Sequence, residues 1–572
     1  MFSKIISLVM SAVMTLTGMS FPSFDGIVDA VSEMIFGIPA TLESINSDFL
    51  YDIDILDITK VNDNSGFVNN KVMVFVNKDT KFLEKRSLFR NSGGVLVGWS
   101  TPADLYVIHY PVSMTYDEVL EKCNELSEKE GVELAIPVAA RRRDTQYNST
   151  PNDSFSADSG KTIEWDEKDP SGRNWWLEAI QARQAWDYSN YFSTVNIGIV
   201  DAGYDLDHPD LEGKISFPST LHALRNSVDS HGCHVAGIIG AKHNNGVGIA
   251  GVCDNSNLIC VDWTPGLFQF WFTELAIFFG FSSVVQAGAK VVNFSLGTSS
   301  SLTGEEMTQY EETFVPMAVS YMMSSLLSKG YDFIAVQSAG NGDYYSDPID
   351  ARYNGHFCNI NEINIFTGSN NIPVSEILDR IIIVGSVSNE GSGRYVQSDF
   401  SNTGSKVSIA APGEKIYSCS AYGDYTELDG TSMSAPIVTG VASLVWSVNP
   451  SFKGTEVKKI VCEANEAVAE INRETNYFYN VELVEYPVVN AKLAVEEAIR
   501  RTDKTVGTVQ GYVSTDAEEI EFDGVSHTVF SDGSFSFVTP AASGIANVKD
   551  SVGNIIESFN IEVTAGETTY IG

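Results

Sequence analysis

Between about Trp165 and Arg501, short apolar runs alternate with helix-like segments, and this alternation constrains the fold more than any other feature of the chain. The runs are VNIGIVD, NLICVDW, KVVNFSLG, DFIAVQSAG, RIIIVGSVS and VSIAAPG, all rich in Val and Ile. Near-continuous apolar runs belong to strands buried on both faces, and helical connections between them make the strands parallel. The expectation for residues 165–503 is therefore an α/β unit, a mostly parallel sheet with helices on both faces. Sites in such sheets lie beyond the carboxyl ends of the strands.

The flanks have another texture. From Lys71, the segments KVMVFV, KFLEKRSLFRN, GGVLVGWS, LYVIHYP, TYDEVLEKCNELSEKEG and VELAIPVAA read β-α-β-β-α-β. That order predicts a small ferredoxin-like α+β unit over residues 67–143. Arg141, Arg142 and Arg143 close it, and the polar run QYNSTPNDSFSADSGK reads as a linker over 144–164. After Thr505, apolar and polar residues alternate between Asp-Gly and Gly-Asn turns. This predicts a small all-β, sandwich-like domain over residues 504–572. At the start, Lys4 precedes an apolar run from Ile5 to about Met19. It is short for a membrane span and has the pattern of a signal peptide over residues 1–20, so the protein is expected to be secreted or cell-surface. Residues 21–66 have no assigned role. A second apolar stretch, Leu267 to Ala289, carries Gln269 and Glu274 between core segments and reads as a buried helix.

Charge narrows the partners. The chain of 572 residues has 74 Asp+Glu against 36 Lys+Arg, a formal charge of −38. No basic stripe is available to neutralise phosphates or to dock on anionic lipid, so neither nucleic acid nor a membrane is expected as partner of the mature form. The seven cysteines include no CxxC pair, which argues against a zinc ribbon. Export would permit disulfides, and buried free thiols and two or three bridges both stay open.

Three segments carry the chemistry. In IGIVDAGYDLDHPDL, Asp201 ends an apolar strand; in HGCHVAGIIGA, His231 opens a helix-like run of small residues; in GTSMSAPIVTGVASLVW, Ser432 opens another. A serine hydroxyl is a poor nucleophile until a base removes its proton. An imidazole titrating near neutrality can take that proton and return it, and a carboxylate can hold the ring in the required tautomer. Polar residues at helix starts are usually caps, so no single position decides anything. HGCHVAG is moderately specific and GTSMSAP strongly so, and SAGNGD and NFSLG stand between them.

In this order the motifs resemble the subtilisin-like serine proteases, the subtilase family, over roughly residues 67–500. An α/β-hydrolase would place serine first and histidine last. The resemblance implies a subtilisin-like fold and a secreted endopeptidase that works through an acyl-enzyme without an organic cofactor. It implies Asp201, His231 and Ser432 as catalytic residues and Asn341 as oxyanion-hole donor. Ser295, Leu296 and Gly297 would pair with an extended peptide or protein substrate, with Gly297 leaving room for side chains. The 67–143 unit would be an inhibitory propeptide of a self-processing zymogen. NWWLEAIQARQAW resembles the start of the mature domain. His234 is expected to be structural, and His208 lies in a turn.

The resemblance also implies a calcium site at Asp210 and Asn245, with Asn244 competing; the bland alternative is a glycine-rich turn. Calcium takes 6–8 oxygens, so this pair would be only part of a shell. Two positions depart from the family pattern. Ala202 stands where Ser or Thr is usual, so a hydroxyl beside Asp201 is missing. Cys233 stands where Thr is usual, which makes sensitivity to mercury or oxidation an expectation. Two other readings stay open: a non-catalytic binding or adhesion protein on this scaffold, and a maturation protease dedicated to one precursor. For the latter, insertions between Leu302 and Ser325 and between Tyr344 and Asp379 would narrow the cleft.

Overall fold

The computed structural model describes residues 49–571 apart from 51–56, 61–64, 81–83, 85–87, 90, 143–172, 220–221, 224–225, 264–270, 298–312, 343–347, 391–393 and 471–483. The signal peptide, the linker, most of the KFLEKRSLFRN helix, residues 302–312 of the first insertion and 344–347 of the second fall outside the described residues.

Six strands make up most of the eight-stranded central sheet, with Ile215–Ser216 a short parallel edge on β2: β1 (Val195–Asp201), β2 (Ser256–Asp262), β3 (Val291–Phe294), β4 (Ile334–Ser338), β5 (Ile381–Asn389) and β6 (Ile409–Pro412). All six pair in parallel, in the order β5-β4-β3-β1-β2, with β6 also on β5. Tyr395–Gln397 adds an antiparallel edge. Alternate side chains explain the continuous apolar runs. Ile197, Ile199, Ile334, Val336, Ile382 and Val384 enter the core on one face. Val200, Val292, Ala335, Ile381 and Ile383 enter the core on the other. The first face is covered by α1 (Ser230–Gly240) and α2 (Thr431–Val448), the second by the helices Glu274–Gln286 and Val315–Ser328. The sheet and its two helical layers agree with the sequence expectation. Of the helix expected over Leu267–Ala289, Glu274–Gln286 is helical, Trp271–Thr273 is instead a strand paired to the N-terminal unit, and residues 267–270 lie outside the described residues. From β1 the chain runs to β2 on one side and then returns to β3 on the other. The order therefore reverses at β1, and a crevice opens beyond the carboxyl ends of β1 and β3.

The helix α2 is 18 residues long and apolar enough to cross a membrane, but 94 % of that stretch is buried inside the fold. It is the central core helix. Both its length and its composition follow from packing against five strands at once.

The N-terminal unit has strands Ser65–Val76, Val95–Ser100, Leu105–His109 and Val132–Arg142 and helix Tyr116–Ser127. In sequence order the four strands line up fourth, first, third, second, all antiparallel, which is the ferredoxin-like arrangement. Thr115 and Glu118 close a capping box at the helix start. Val72, Val74 and Val76 pack with Val119, Cys123 and Leu126 of that helix. Met73 and Phe75, on the opposite face, pack into the core of the central unit. The Phe75 ring lies 6.5 Å from Phe278 and 5.1 Å from Tyr321. Fully burying one such aromatic is worth about 1.5–3 kcal/mol. Asp104 accepts from Ser325 Oγ and Lys329 Nζ, both at 2.6 Å, and Arg141 and Arg142 extend the sheet by pairing with Phe272 and Trp271.

At the other end, Val506–Tyr512, Ser534–Pro540 and Thr568–Ile571 form one sheet. Glu519–Phe522, Val525–Thr528, Ser543–Lys549 and Ile555–Glu562 form a second. The His527 ring of one sheet stacks on Phe537 of the other, centroids 4.1 Å apart. This small sandwich is tied down by polar bonds. Asp187 accepts from the Thr528 N–H at 2.8 Å, and buried Tyr188 donates to Glu496 while accepting from the Val538 N–H. Burial pushes the Asp187 carboxyl up to about 6.

Candidate active site

Asp201 is the last residue of β1, and His231 and Ser432 are the second residues of α1 and α2. Asp229 caps α1 by accepting from the His231 N–H. Gly232 allows α1 to start against the end of β1: a Cβ there would sit 2.0 Å from the Ala202 carbonyl oxygen. That approach brings His231 Nδ1 within 2.5 Å of Asp201 Oδ1. Both side chains are buried, with Asp201 at 1 % and His231 at 4 % exposure. Asp201 Oδ1 also accepts from the Ala202 N–H at 2.7 Å. Asp201 Oδ2 has no hydrogen-bond partner among the described residues. The hydroxyl missing at Ala202 is thus not replaced by another described side chain. Burial pushes the Asp201 carboxyl up, against the pull of the His231 imidazole and the Ala202 N–H. With Nδ1–H donating to the carboxylate, Nε2 becomes the proton-accepting atom of a neutral ring.

The first turn of α2 is opened by chemistry inside the helix. Pro436 has no N–H, so the Ser432 carbonyl lacks its helical partner four residues on. Ser295 Oγ donates to that carbonyl instead, at 2.8 Å. Ser295 is held in turn by Asn293, and Asn293 by Thr439 of α2, in one buried chain of hydrogen bonds. The half-buried Ser432 hydroxyl faces the Ser295 carbonyl at 3.4 Å. The end of β3 and the start of α2 are therefore pinned together. Leu296 and Gly297 are half-buried beside them, and the Leu296 carbonyl accepts from Gln337.

Asn341 follows β4 and is exposed. Its Oδ1 accepts from the Thr431 N–H at 2.9 Å and from Thr431 Oγ1 at 2.7 Å. Two donors on one oxygen fix the amide orientation, so the Asn341 NH2 group is turned towards Gly430 and the start of α2. Thr431 was not singled out from sequence. Its only signal is its place before Ser432, where a residue with both a backbone and a hydroxyl donor can orient an amide.

The two other histidines of these motifs, His234 and His208, bond to backbone groups. His234 donates from Nε2 to the Ile416 and Thr426 carbonyls, and burial lowers its pKa to about 3. His208 bonds the Asp424 carbonyl through Nε2 and accepts from the Asp210 N–H through Nδ1. All seven cysteines are free thiols. Cys233 is buried beneath His231, accepts from the Asp205 N–H, and burial pushes its pKa up to about 12. The expected thiol sensitivity therefore finds no exposed thiolate to act through. Iodoacetamide should leave Cys233 unmodified and activity unchanged in the native protein, with alkylation only in denaturant. Peptide mapping of the two samples checks this, and native-state labelling at Cys233 would contradict the burial argument.

Asp210 and Asn245 do meet, but as bonding partners. Asn245 Nδ2 donates to Asp210 Oδ1 at 2.7 Å, while the Ile249 N–H and the Tyr425 hydroxyl donate to Oδ2 at 2.9 and 2.8 Å. The Asn245 Oδ1 is itself taken by the Val247 N–H, and Asn244 adopts a left-handed turn conformation. A cation here would face N–H and O–H hydrogens rather than oxygens, so this pair as arranged does not fit calcium. Among the described residues no group of three or more His, Cys, Asp or Glu is placed to hold a metal. Tyr425→Phe should cost about 1–3 kcal/mol, the worth of a donor to a buried carboxylate, with or without a chelator present. Thermal unfolding with EDTA and with added calcium tests this; calcium protection that disappears in Asp210→Ala would restore the cation.

The family model described as the subtilase family, Peptidase_S8, matches residues 193–483. Thermitase of Thermoactinomyces vulgaris is 31 % identical over 281 residues, 48 % of this chain and 83 % of thermitase. The chain belongs to the subtilase family. It is a serine-type endopeptidase by that membership. Subtilisin E of Bacillus subtilis (strain 168) is 24 % identical over 384 residues, 65 % of this chain and 87 % of the relative. Among solved structures this subtilase is similar in fold to fervidolysin from Fervidobacterium pennivorans, described as a keratinolytic enzyme related to subtilisin. There the TM-score is 0.51 at 19 % identity, covering 92 % of this chain and 82 % of fervidolysin. That match extends well beyond the family segment at both ends.

Proposed function

We propose that this subtilase is a secreted zymogen that hydrolyses peptide bonds through Asp201, His231 and Ser432. The observation that carries the reading is the 2.5 Å contact between Asp201 and His231 at the crevice where α2 presents Ser432. His231 Nε2 takes the proton from Ser432 Oγ as the oxygen attacks the scissile carbonyl. Asp201 holds the Nδ1 proton and stabilises the imidazolium that forms. The Asn341 NH2 group and the Ser432 N–H donate to the developing oxyanion. Collapse of the tetrahedral intermediate breaks the C–N bond, and His231 returns its proton to the leaving amine. Water then attacks the acyl-enzyme by the same proton route, releasing the acid and restoring Ser432. No step runs through calcium, and no organic cofactor is invoked.

The N-terminal unit supports the zymogen reading. One face of its sheet is covered by its own helix and the other by the protease helices, so Met73 and Phe75 have no solvent-facing role. A unit built with two apolar faces is suited to act as a bound propeptide. A fluorophosphonate probe, which labels only an activated serine, tests the reading. Labelling that maps to Ser432 and is blocked by a small-peptide substrate is expected; a native, processed protein that takes no label would overturn it.

A further inference from the structure

Beyond the carboxyl ends of the neighbouring strands β3 and β4, the chain continues as Ser295–Gly297 and Ala339–Asn341. The gap between these two segments opens beside Ser432 and Asn341. A substrate with its carbonyl at those two residues must drop into this gap the side chain of the residue that supplies the carbonyl. Both walls are glycine there, Gly297 and Gly340, which is how a chain leaves room for a foreign side chain. Here the room is taken. Asn354 Oδ1 lies 1.9 Å from where a Cβ on Gly297 would be, and a Cβ on Gly340 would meet Asn402 Nδ2 at 2.3 Å and Asn354 Oδ1 at 2.9 Å. The carboxamide is anchored rather than loose: its Nδ2 donates to the Ser338 carbonyl at 2.8 Å, and it also bonds the Cys358 thiol. Asn354 is only 6 % exposed and ends a one-turn helix before Gly355. A large side chain entering the gap would have to break that anchor and leave the Ser338 carbonyl with only the weak Cys358 thiol donor at 3.5 Å.

Resting on the hydrolytic reading above, we propose that Asn354 is a specificity-determining residue that fills the pocket between Gly297 and Gly340 and restricts the residue before the scissile bond to a small side chain. Alanine, glycine and serine fit above the amide. Serine gains a hydroxyl donor opposite Asn354 Oδ1, so it ranks at least level with alanine. Leucine, phenylalanine and the long charged residues are excluded by volume.

The test is a set of peptides that differ only in the residue before the cleaved bond, with Ala, Ser, Leu, Phe or Lys there. They are assayed with the processed wild type and with Asn354→Ala and Asn354→Gly. The wild type should favour Ala and Ser over Leu and Phe by about 10²-fold in kcat/KM, the scale of discrimination by pocket shape. The variants should raise Leu and Phe at least about tenfold relative to the Ala peptide. A wild type that cleaves Leu or Phe as fast as Ala overturns the proposal, whether or not the variants fold. So does a variant that takes the serine probe normally yet keeps the wild-type ranking. Failure of the underlying reading looks different: the wild type then cleaves none of the five peptides and takes no probe.

Discussion

Replacing Ser432 with alanine is expected to lower peptide hydrolysis about 10⁶-fold, a scale known for the triad serine of subtilisin itself and carried over from that relative. The variant loses the nucleophile but keeps everything that binds and polarises the carbonyl. Asn341 remains oriented by Thr431, and the chain from Thr439 through Asn293 to Ser295 still ends on the carbonyl of residue 432. A residual rate about 10³–10⁴-fold above water therefore persists. Stability should hardly change, because among the described residues the bond made by the Ser432 hydroxyl is long, at 3.4 Å, and the residue is half-buried. Intact mass after secretion gives a second readout. The wild type should lose about 140 residues, and the variant only the signal peptide of about 20. Equal processing of both would assign the cleavage to a host protease, and equal hydrolysis by both would remove Ser432 from its role.

Asp201→Asn is expected to lower kcat about 10⁴-fold with little change in KM, the known penalty for holding the histidine in the wrong tautomer. The carboxylate accepts through one oxygen from both the Ala202 N–H and His231 Nδ1. An amide placed there can turn its NH2 group to His231, so that Nδ1 accepts and the proton sits on Nε2. The ring then has no lone pair for the serine proton. At 1 % exposure Asp201 touches no substrate, which is why KM should hold. Stability should change little, because relief of the buried charge is set against the Ala202 N–H, which loses its acceptor when the NH2 group turns to His231. Burial opposes the charge on Asp201, and Oδ2 lacks a partner among the described residues, so an isosteric neutral group relieves a desolvation cost. Thermal unfolding beside steady-state kinetics separates the outcomes. A variant that loses activity only because it unfolds, or that loses less than about tenfold in kcat, would contradict the tautomer argument.

Much of this protein is legible without coordinates because its information is local. The apolar runs give parallel strands since each strand is buried on both faces, and the residue pairs that split between the two cores, such as Ile382 and Ile383, are adjacent in sequence. The Asp201, His231, Ser432 and Asn341 segments are legible because each needs its own strand end, glycine or helix start. The four strands and the Tyr116–Ser127 helix of the N-terminal unit and the turn-punctuated C-terminal strands were readable for the same reason.

The expectations that shifted are those that depend on what lies opposite. Asp210 and Asn245 read as two oxygens for a cation, yet Tyr425, 215 residues from Asp210, supplies a donor and completes a set of hydrogen bonds instead. Cys233 reads as a thiol beside a catalytic histidine, yet the packing of α1 on β1 buries it and suppresses its ionisation. Gly297 reads as an open position, yet Asn354 arrives from a later one-turn helix to occupy it. Sequence periodicity and short motifs alone determined which strands form, which helices cover them and which side chains could do acyl-transfer chemistry. Only the tertiary structure decided which polar atoms those groups meet, because hydrogen-bond partners and pocket volume are set by contacts between distant segments that leave no local pattern.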